Sequence, residues 1–337
     1  MKKLSIIAVS LSFIFLFSCS KIDEIENGLK PHEEGVIKGL KVSLPQGIPK
    51  EVLDWNEADF QKKFYTSVPS GRLGNQKEVK YDLEEFVKFA SPVVNKYPNR
   101  ANIKKMEMIE MIKKDFGFSE KDFDKNLNTI LEYYQKIVAY ELLKILPQFN
   151  PSPKITKNAK VAGYIGVLNS CEFWLVFWNS NKMSAVQLAS AFANLRSSQD
   201  YPATWGTDGV GNAFRHSFWT AMLMDVLSVQ GYPTYEAHAF AFAFTTAHEC
   251  EENGSLASKM DLHNNAVALN TYPSFVGASY NFTSCGFLCW GYIPVFNSVG
   301  PTTCGDFYKN KADNNCVQVF SESDINNADA NTLVRLD

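Results

Sequence analysis

Leu127, Ile130, Leu131, Tyr134, Val138, Leu142 and Ile145 recur at spacings of three and four residues, and Pro147 closes the run. A stripe of that period fits an α-helix that lays one apolar face on a core. Shorter stripes surround it. Asp82 stands before Leu83, Phe86, Val87 and Ala90, and that face stops near Pro92. Asn102 opens a run through Met106, Ile109 and Ile112 that reaches Gly117, and Ser119 with Asp122 has the spacing of a capping box. Helical periods return over 184–195, 212–227, 234–249 and 258–269. The third of these is apolar around much of its circumference, which predicts a buried helix. From 270 to 316 Gly, Pro, Asn and aromatic residues break the period, so irregular loops or short strands are expected, with one strand over 316–320. The expected fold is mainly α. A helical N-terminal region covers 50–150 and a helical domain covers 155–337, with the change of character at Pro151-Ser152-Pro153.

The N-terminus is a different kind of segment. Met1, Lys2 and Lys3 precede an apolar run from Leu4 to Phe17. That run is shorter than the ~20 residues a transmembrane helix needs and reads as a signal peptide. Leu16-Phe17-Ser18-Cys19 resembles a lipobox, which implies cleavage before Cys19 and lipid on its thiol. Stable anchoring takes two or more acyl chains, which such a lipidation supplies. An ordinary secretory signal with a chance cysteine is the alternative. Ser20, in place of Asp, favours sorting to the outer of two membranes. Residues 20–48 are polar, acidic and interrupted by Pro31 and Pro45, which reads as a tether. The expectation is an envelope protein exposed outside the cytoplasm, held to a membrane through Cys19. A net charge of -3 and a pI near 6.0 give no basic face, so no nucleic-acid partner is expected.

Besides Cys19, the chain carries Cys171, Cys250, Cys285, Cys289, Cys304 and Cys316. Export permits disulfides, and an even number is consistent with them. The pairing is open from sequence. The last four fall close together and are read as stapling a loop-rich segment. Zinc on those thiolates is the alternative, although the Cys285–Cys289 spacing is not that of a zinc ribbon.

Four of the five histidines lie between His216 and His263, in company with acids and amides. They fall in three clusters: Asn212-Ala213-Phe214-Arg215-His216, then Ala247-His248-Glu249, then Met260-Asp261-Leu262-His263-Asn264-Asn265. The helices carrying them are otherwise apolar. Burying such groups unpaired costs several kcal/mol each, so they are expected to meet. On one helix Asp261, Asn264 and Asn265 share a face. Arg215, His216, His248, Glu249, Asp261, Asn264 and Asn265 are therefore the candidate site. The imidazoles and carboxylates can move protons or bind a cation, and Arg and Asn can hold an anionic or carbonyl oxygen. His216, His248 and Asp261 are the candidate ligands for zinc or another divalent cation. A buried polar network that only locks helices together would use the same residue types. His238 and His263 are read as packing or surface residues, and Cys250 as half of a disulfide or a buried thiol. His-Glu-x-x-His and Gly-x-Ser-x-Gly are both absent.

These clusters, in this order, resemble an uncharacterised bacterial domain family found mostly in exported proteins and lipoproteins. Its pattern is Asn/Asp-Ala-Phe-Arg-His-x-x-Trp, Ala-His-Glu, then Met-Asp-x-x-Asn-Asn. The resemblance covers about 160–270 and implies a shared site; it carries no reaction. Two functions follow as expectations. One is a surface hydrolase, metal-assisted or acid/base, acting on an envelope or extracellular polymer or lipid. The other is a non-catalytic surface lipoprotein whose network is structural and whose segment 270–316 contacts a partner.

Overall fold

The computed structural model describes residues 33–67, 80–149, 166–250, 254–282 and 292–336. The signal peptide, Cys19, the boundary at Pro151–Pro153, Cys285 and Cys289 lie outside the described residues. Eleven helices occur among those described: α1 (Glu57–Ser67), α2 (Leu83–Val94), α3 (Met106–Phe116), α4 (Phe123–Ile145), α5 (Ser170–Trp178), α6 (Met183–Asp200), α7 (Val210–Val229), α8 (Thr234–His248), α9 (Leu256–Val276), α10 (Gly300–Asn315) and α11 (Glu322–Asn327). No helix among these residues is long and apolar enough to cross a membrane.

Local chemistry sets two helix ends where the sequence suggested, whereas α3 starts at Met106, past the expected cap Asn102, whose side chain bonds Asn99 N and Tyr97 O. Asp82 caps α2 by accepting from Glu85 N at 3.0 Å. Gly117 ends α3 with φ 65°, a left-handed turn that glycine adopts without Cβ strain. The long stripe becomes α4, with Ile130, Tyr134, Val138 and Leu142 buried.

The tether is shorter than expected. Residues 34–43 form an antiparallel hairpin, β1 (Glu34–Ile37) with β2 (Leu40–Ser43). Ile37, Val42, Leu44 and Ile48 are all buried. These few apolar side chains dock on a core built elsewhere, which an average over the polar segment conceals.

The two helical regions share one continuous core. Phe173 of α5 is packed against Tyr81, Phe86 and Phe64 at ring separations of 3.9, 4.9 and 5.2 Å. A two-residue ladder, β3 (Tyr81–Asp82) with β4 (Val167–Leu168), ties the same places together.

Helix α7 is the axis of the C-terminal part. Every residue from Gly211 to Ser228 is buried, with α6, α8, α9 and α10 packed around it. Gly211 lets the backbone of the preceding loop lie against the start of α7. A Cβ there would stand 2.7 Å from Trp205 N and 2.8 Å from the Thr204 carbonyl carbon.

The segment 270–316, expected as irregular loops or short strands, forms two short strands among its described residues, but it also carries helix. Helix α9 runs on to Val276, and β5 (Ala278–Phe282) pairs with β6 (Tyr292–Phe296). Helix α10 follows, with Pro301 in its first turn and Cys304, Tyr308 and Ala312 buried at i, i+4 spacing. Phe307, stacked on Phe275 at 4.1 Å, flanks that stripe, and most other positions are Asn, Lys, Asp and Thr, so its apolar face is narrow. Cys304 is a buried thiol. The expected strand after Cys316 forms only as β7 (Cys316–Gln318), parallel to β8 (Leu333–Arg335). Asp225 of α7 anchors the hairpin-to-helix connection. It accepts from Tyr272 Oη at 2.7 Å, Ser298 Oγ at 2.8 Å and Val299 N at 2.9 Å.

Candidate functional site

Three helix segments bring their polar residues to one point. On α7, Asn212, Arg215 and His216 stand at i, i+3 and i+4 and share a face. Helix α8 ends at His248, and Glu249 is its C-cap. On α9, Asp261 and Asn265 are one turn apart. The face they share looks at α7 and the end of α8.

His216 is the centre. Its Nε2 lies 3.3 Å from Asp261 Oδ2 and 3.3 Å from Arg215 Nη2, and its Nδ1 lies 3.9 Å from Glu249 Oε1. Asn212 donates to Asp261 Oδ1 at 2.8 Å and accepts from Arg215 Nη2. Thr220 donates to Asn265 Oδ1 at 2.9 Å, which fixes Asn265 beneath the ring. His216 Nδ1 is buried and makes no hydrogen bond among the described residues. Ligand atoms of His216, Glu249 and Asp261 all lie within 4.8 Å of one another.

The site is enclosed but not sealed. The side chains of His216 and Glu249 are 2% and 7% exposed, against 13% for Asp261 and 19% for His248. Asp261 and His248 are thus the more exposed members of the cluster. His248 directs Nδ1 to Glu172 Oε1 at 2.8 Å, and its ring stands 5.9 Å from that of His216.

Burial sets the charge states. It holds the His216 imidazole well below its usual value, reinforced by the positive charges of Arg215 and His248, against an upward pull from Asn265. Burial also raises the Asp261 carboxyl well above the carboxylate range, as does Glu249, while Arg215 and His248 oppose it. Arg215 is lowered to about 10 by burial, against Asp261, Glu249 and Asp208. Burial would lower His248 too, but the Glu172 carboxylate and then Glu249 overcome it and raise the imidazole to about 9. The result is a neutral imidazole between two acidic groups, with a charged imidazole beside it. A cation between His216 and the two carboxyls would relieve the cost of crowding them.

Most of the expected site residues come together, with two corrections. Asn264 is elsewhere. Its Nδ2 donates to Val334 O at 2.9 Å and its Oδ1 accepts from Val334 N at 2.9 Å, so its amide clamps β8 to α9. Residues 264 and 265 differ by about 100° around a helix, and only the second turns inward. The set of mutually close ligand atoms also differs from the expected one: Glu249, in place of His248, joins His216 and Asp261, while His248 Nδ1 bonds Glu172 Oε1. His263 Nε2 meets Thr332 O at 2.9 Å, outside the site, and Cys250 forms a disulfide with Cys171.

Sequence reasoning missed Glu172 and assigned Asn212 no part. Glu172 is 2% exposed and belongs to a capping box with Asn169 at the start of α5. The Asn169-x-x-Glu172 spacing was visible, but nothing in it points to His248.

Residues 173–283 match the model of a family described as a domain of unknown function, DUF6973. That stretch contains Arg215, His216, His248, Glu249, Asp261 and Asn265, and it begins just after Glu172. No curated protein and no solved structure matches the chain.

Proposed function

We propose that the chain is a lipid-anchored hydrolase of the cell envelope, with a divalent cation held by His216, Glu249 and Asp261. The observation that carries this reading is the convergence of those three groups within 4.8 Å of one another in a buried place. A nitrogen and two carboxylates are a ligand set that leaves positions open for water. A divalent cation there, zinc or another, would supply Lewis-acid activation of water as the nucleophile. His248, more exposed than His216 and oriented by Glu172, is the proton donor for the leaving group. Arg215, 2% exposed and turned to Asn212 and His216, balances the site's charge and does not reach out to substrate. The lipid anchor at Cys19 places envelope polymers and lipids within reach.

Metal analysis of the purified full chain tests the reading. Stoichiometric divalent metal is expected, lost in both His216→Ala and Glu249→Gln. A second reading has its own support. Asn212, Thr220 and Asn265 interlock α7 with α9, as scaffolding requires. It predicts a metal-free wild type and variants that melt far lower, and that pair of results would replace the hydrolase reading. Mass spectrometry of the mature N-terminus tests the anchor, with acylated Cys19 expected.

A further inference from the structure

The first turn of α5 is joined to the last turn of α8 by bonds that all end on Ala247–Cys250. Asn169 Nδ2 donates to Ala247 O at 2.8 Å and to His248 O at 2.9 Å, occupying final carbonyls of α8. Its Oδ1 accepts from Glu172 N at 2.8 Å, and its own N–H donates to Glu172 Oε2 at 2.9 Å. That leaves Glu172 Oε1 for His248 Nδ1 at 2.8 Å. Between these two residues Cys171 is bonded to Cys250, across 79 residues of chain. The segment so held is the one that bears His248 and Glu249.

We infer that Asn169, Glu172 and the Cys171–Cys250 disulfide form a positioning unit that assembles the cation centre only when the two cysteines are oxidised. The inference rests on the cation reading and adds its regulation. Helix ends open at little free-energy cost unless something ties them down. Glu249 lies beyond the last turn of α8, and it must stay close to His216, with 3.9 Å between Oε1 and Nδ1, for both to reach one ion. Asn169 and Glu172 orient this end, and the covalent bond keeps their first turn against it. In a reducing compartment both thiols persist. After export, one thiolate attacks a disulfide of a protein or small-molecule oxidant and expels a thiolate. The second cysteine thiolate then attacks the mixed disulfide and expels the other. The cysteine pair loses two electrons and two protons, and the oxidant is reduced to two thiols. The hydrolase would thus become competent only outside the cytoplasm.

Manganese(II) is the probe, because it prefers carboxylate and imidazole ligands over thiolates and its spin resonance reports binding. Its affinity is measured on the full chain in detergent: oxidised wild type, reduced wild type, Cys171→Ser/Cys250→Ser and Glu172→Ala. Circular dichroism follows folding in each. Oxidised wild type should bind tightly, and the other three should keep the helical spectrum and bind roughly 10–100-fold more weakly. Reoxidation should restore the wild type. Equal affinity in the folded reduced chain would overturn the inference. So would loss of the whole helical spectrum on reduction, which would make the disulfide a general staple. Glu172→Ala keeps the disulfide, so its weaker binding separates positioning from cross-linking. An oxidised wild type that binds no manganese would instead defeat the cation reading itself. Amide exchange over 246–250 then judges the clamp alone: faster exchange confined to those residues on reduction is expected, and no change would refute it.

Discussion

Neighbouring side chains in this chain have unlike duties. Asn264 and Asn265 are adjacent and both buried, yet one serves β8 and the other supports His216. Asn264→Ala leaves Val334 N and O without their partner, so a loss of roughly 1–3 kcal/mol is expected from urea unfolding. Metal content should be unchanged; a metal-free but stable variant would return Asn264 to the site. His248 gives a pH dependence of known sign. Its imidazole moves from 6.5 to about 9 on folding, so the stabilisation it gains from Glu172 is complete below 6.5 and lost as pH rises through 9. In metal-free protein the melting-temperature advantage of wild type over Glu172→Gln should therefore be greatest near pH 6 and fade by pH 9.5. An advantage that instead grows with rising pH would contradict the assignment. The residue-level identities were largely legible, since Arg215, His216, His248, Glu249, Asp261 and Asn265 were all singled out by polar character on apolar helices. Direction was not legible: the two asparagines point about 100° apart, and the sequence does not say which of them turns inward.

The helices with wide stripes were legible, and those with narrow ones were not. Helix α4 announced itself through seven apolar positions, whereas α10 buries only Cys304, Gly305, Tyr308 and Ala312 and hides among polar residues. Such a helix depends on tertiary anchors. Asp225 supplies one, holding Tyr272, Ser298 and Val299. Asp225→Ala leaves the buried Tyr272 Oη without its acceptor, at roughly 1–3 kcal/mol, and removes the link from α7 to Ser298 and Val299 at the start of α10. Amide exchange should accelerate through 292–315 more than through α4. Uniform acceleration across the molecule would show that α10 is not held in this way. The hairpin β1–β2 was missed for a related reason: its buried residues gain their partners from helices far along the chain.

Across the whole molecule, one core joins the helical regions that sequence alone divides, and the site sits where three distant stretches of chain meet inside it. Apolar helices can carry Arg, His, Glu and Asp only if those groups satisfy one another, so the convergence was inferable before the geometry was known. The contribution of α5 was not, because a capping box looks the same whether or not its glutamate has an oxygen to spare. Diffraction at the zinc edge, from crystals of the chain grown with excess zinc, is the most direct measurement of the central claim. An anomalous peak is expected at roughly 2.0–2.2 Å from a His216 nitrogen and from carboxylate oxygens of Glu249 and Asp261. Crystals with no peak among these three side chains, or with zinc bound only elsewhere, would contradict that claim.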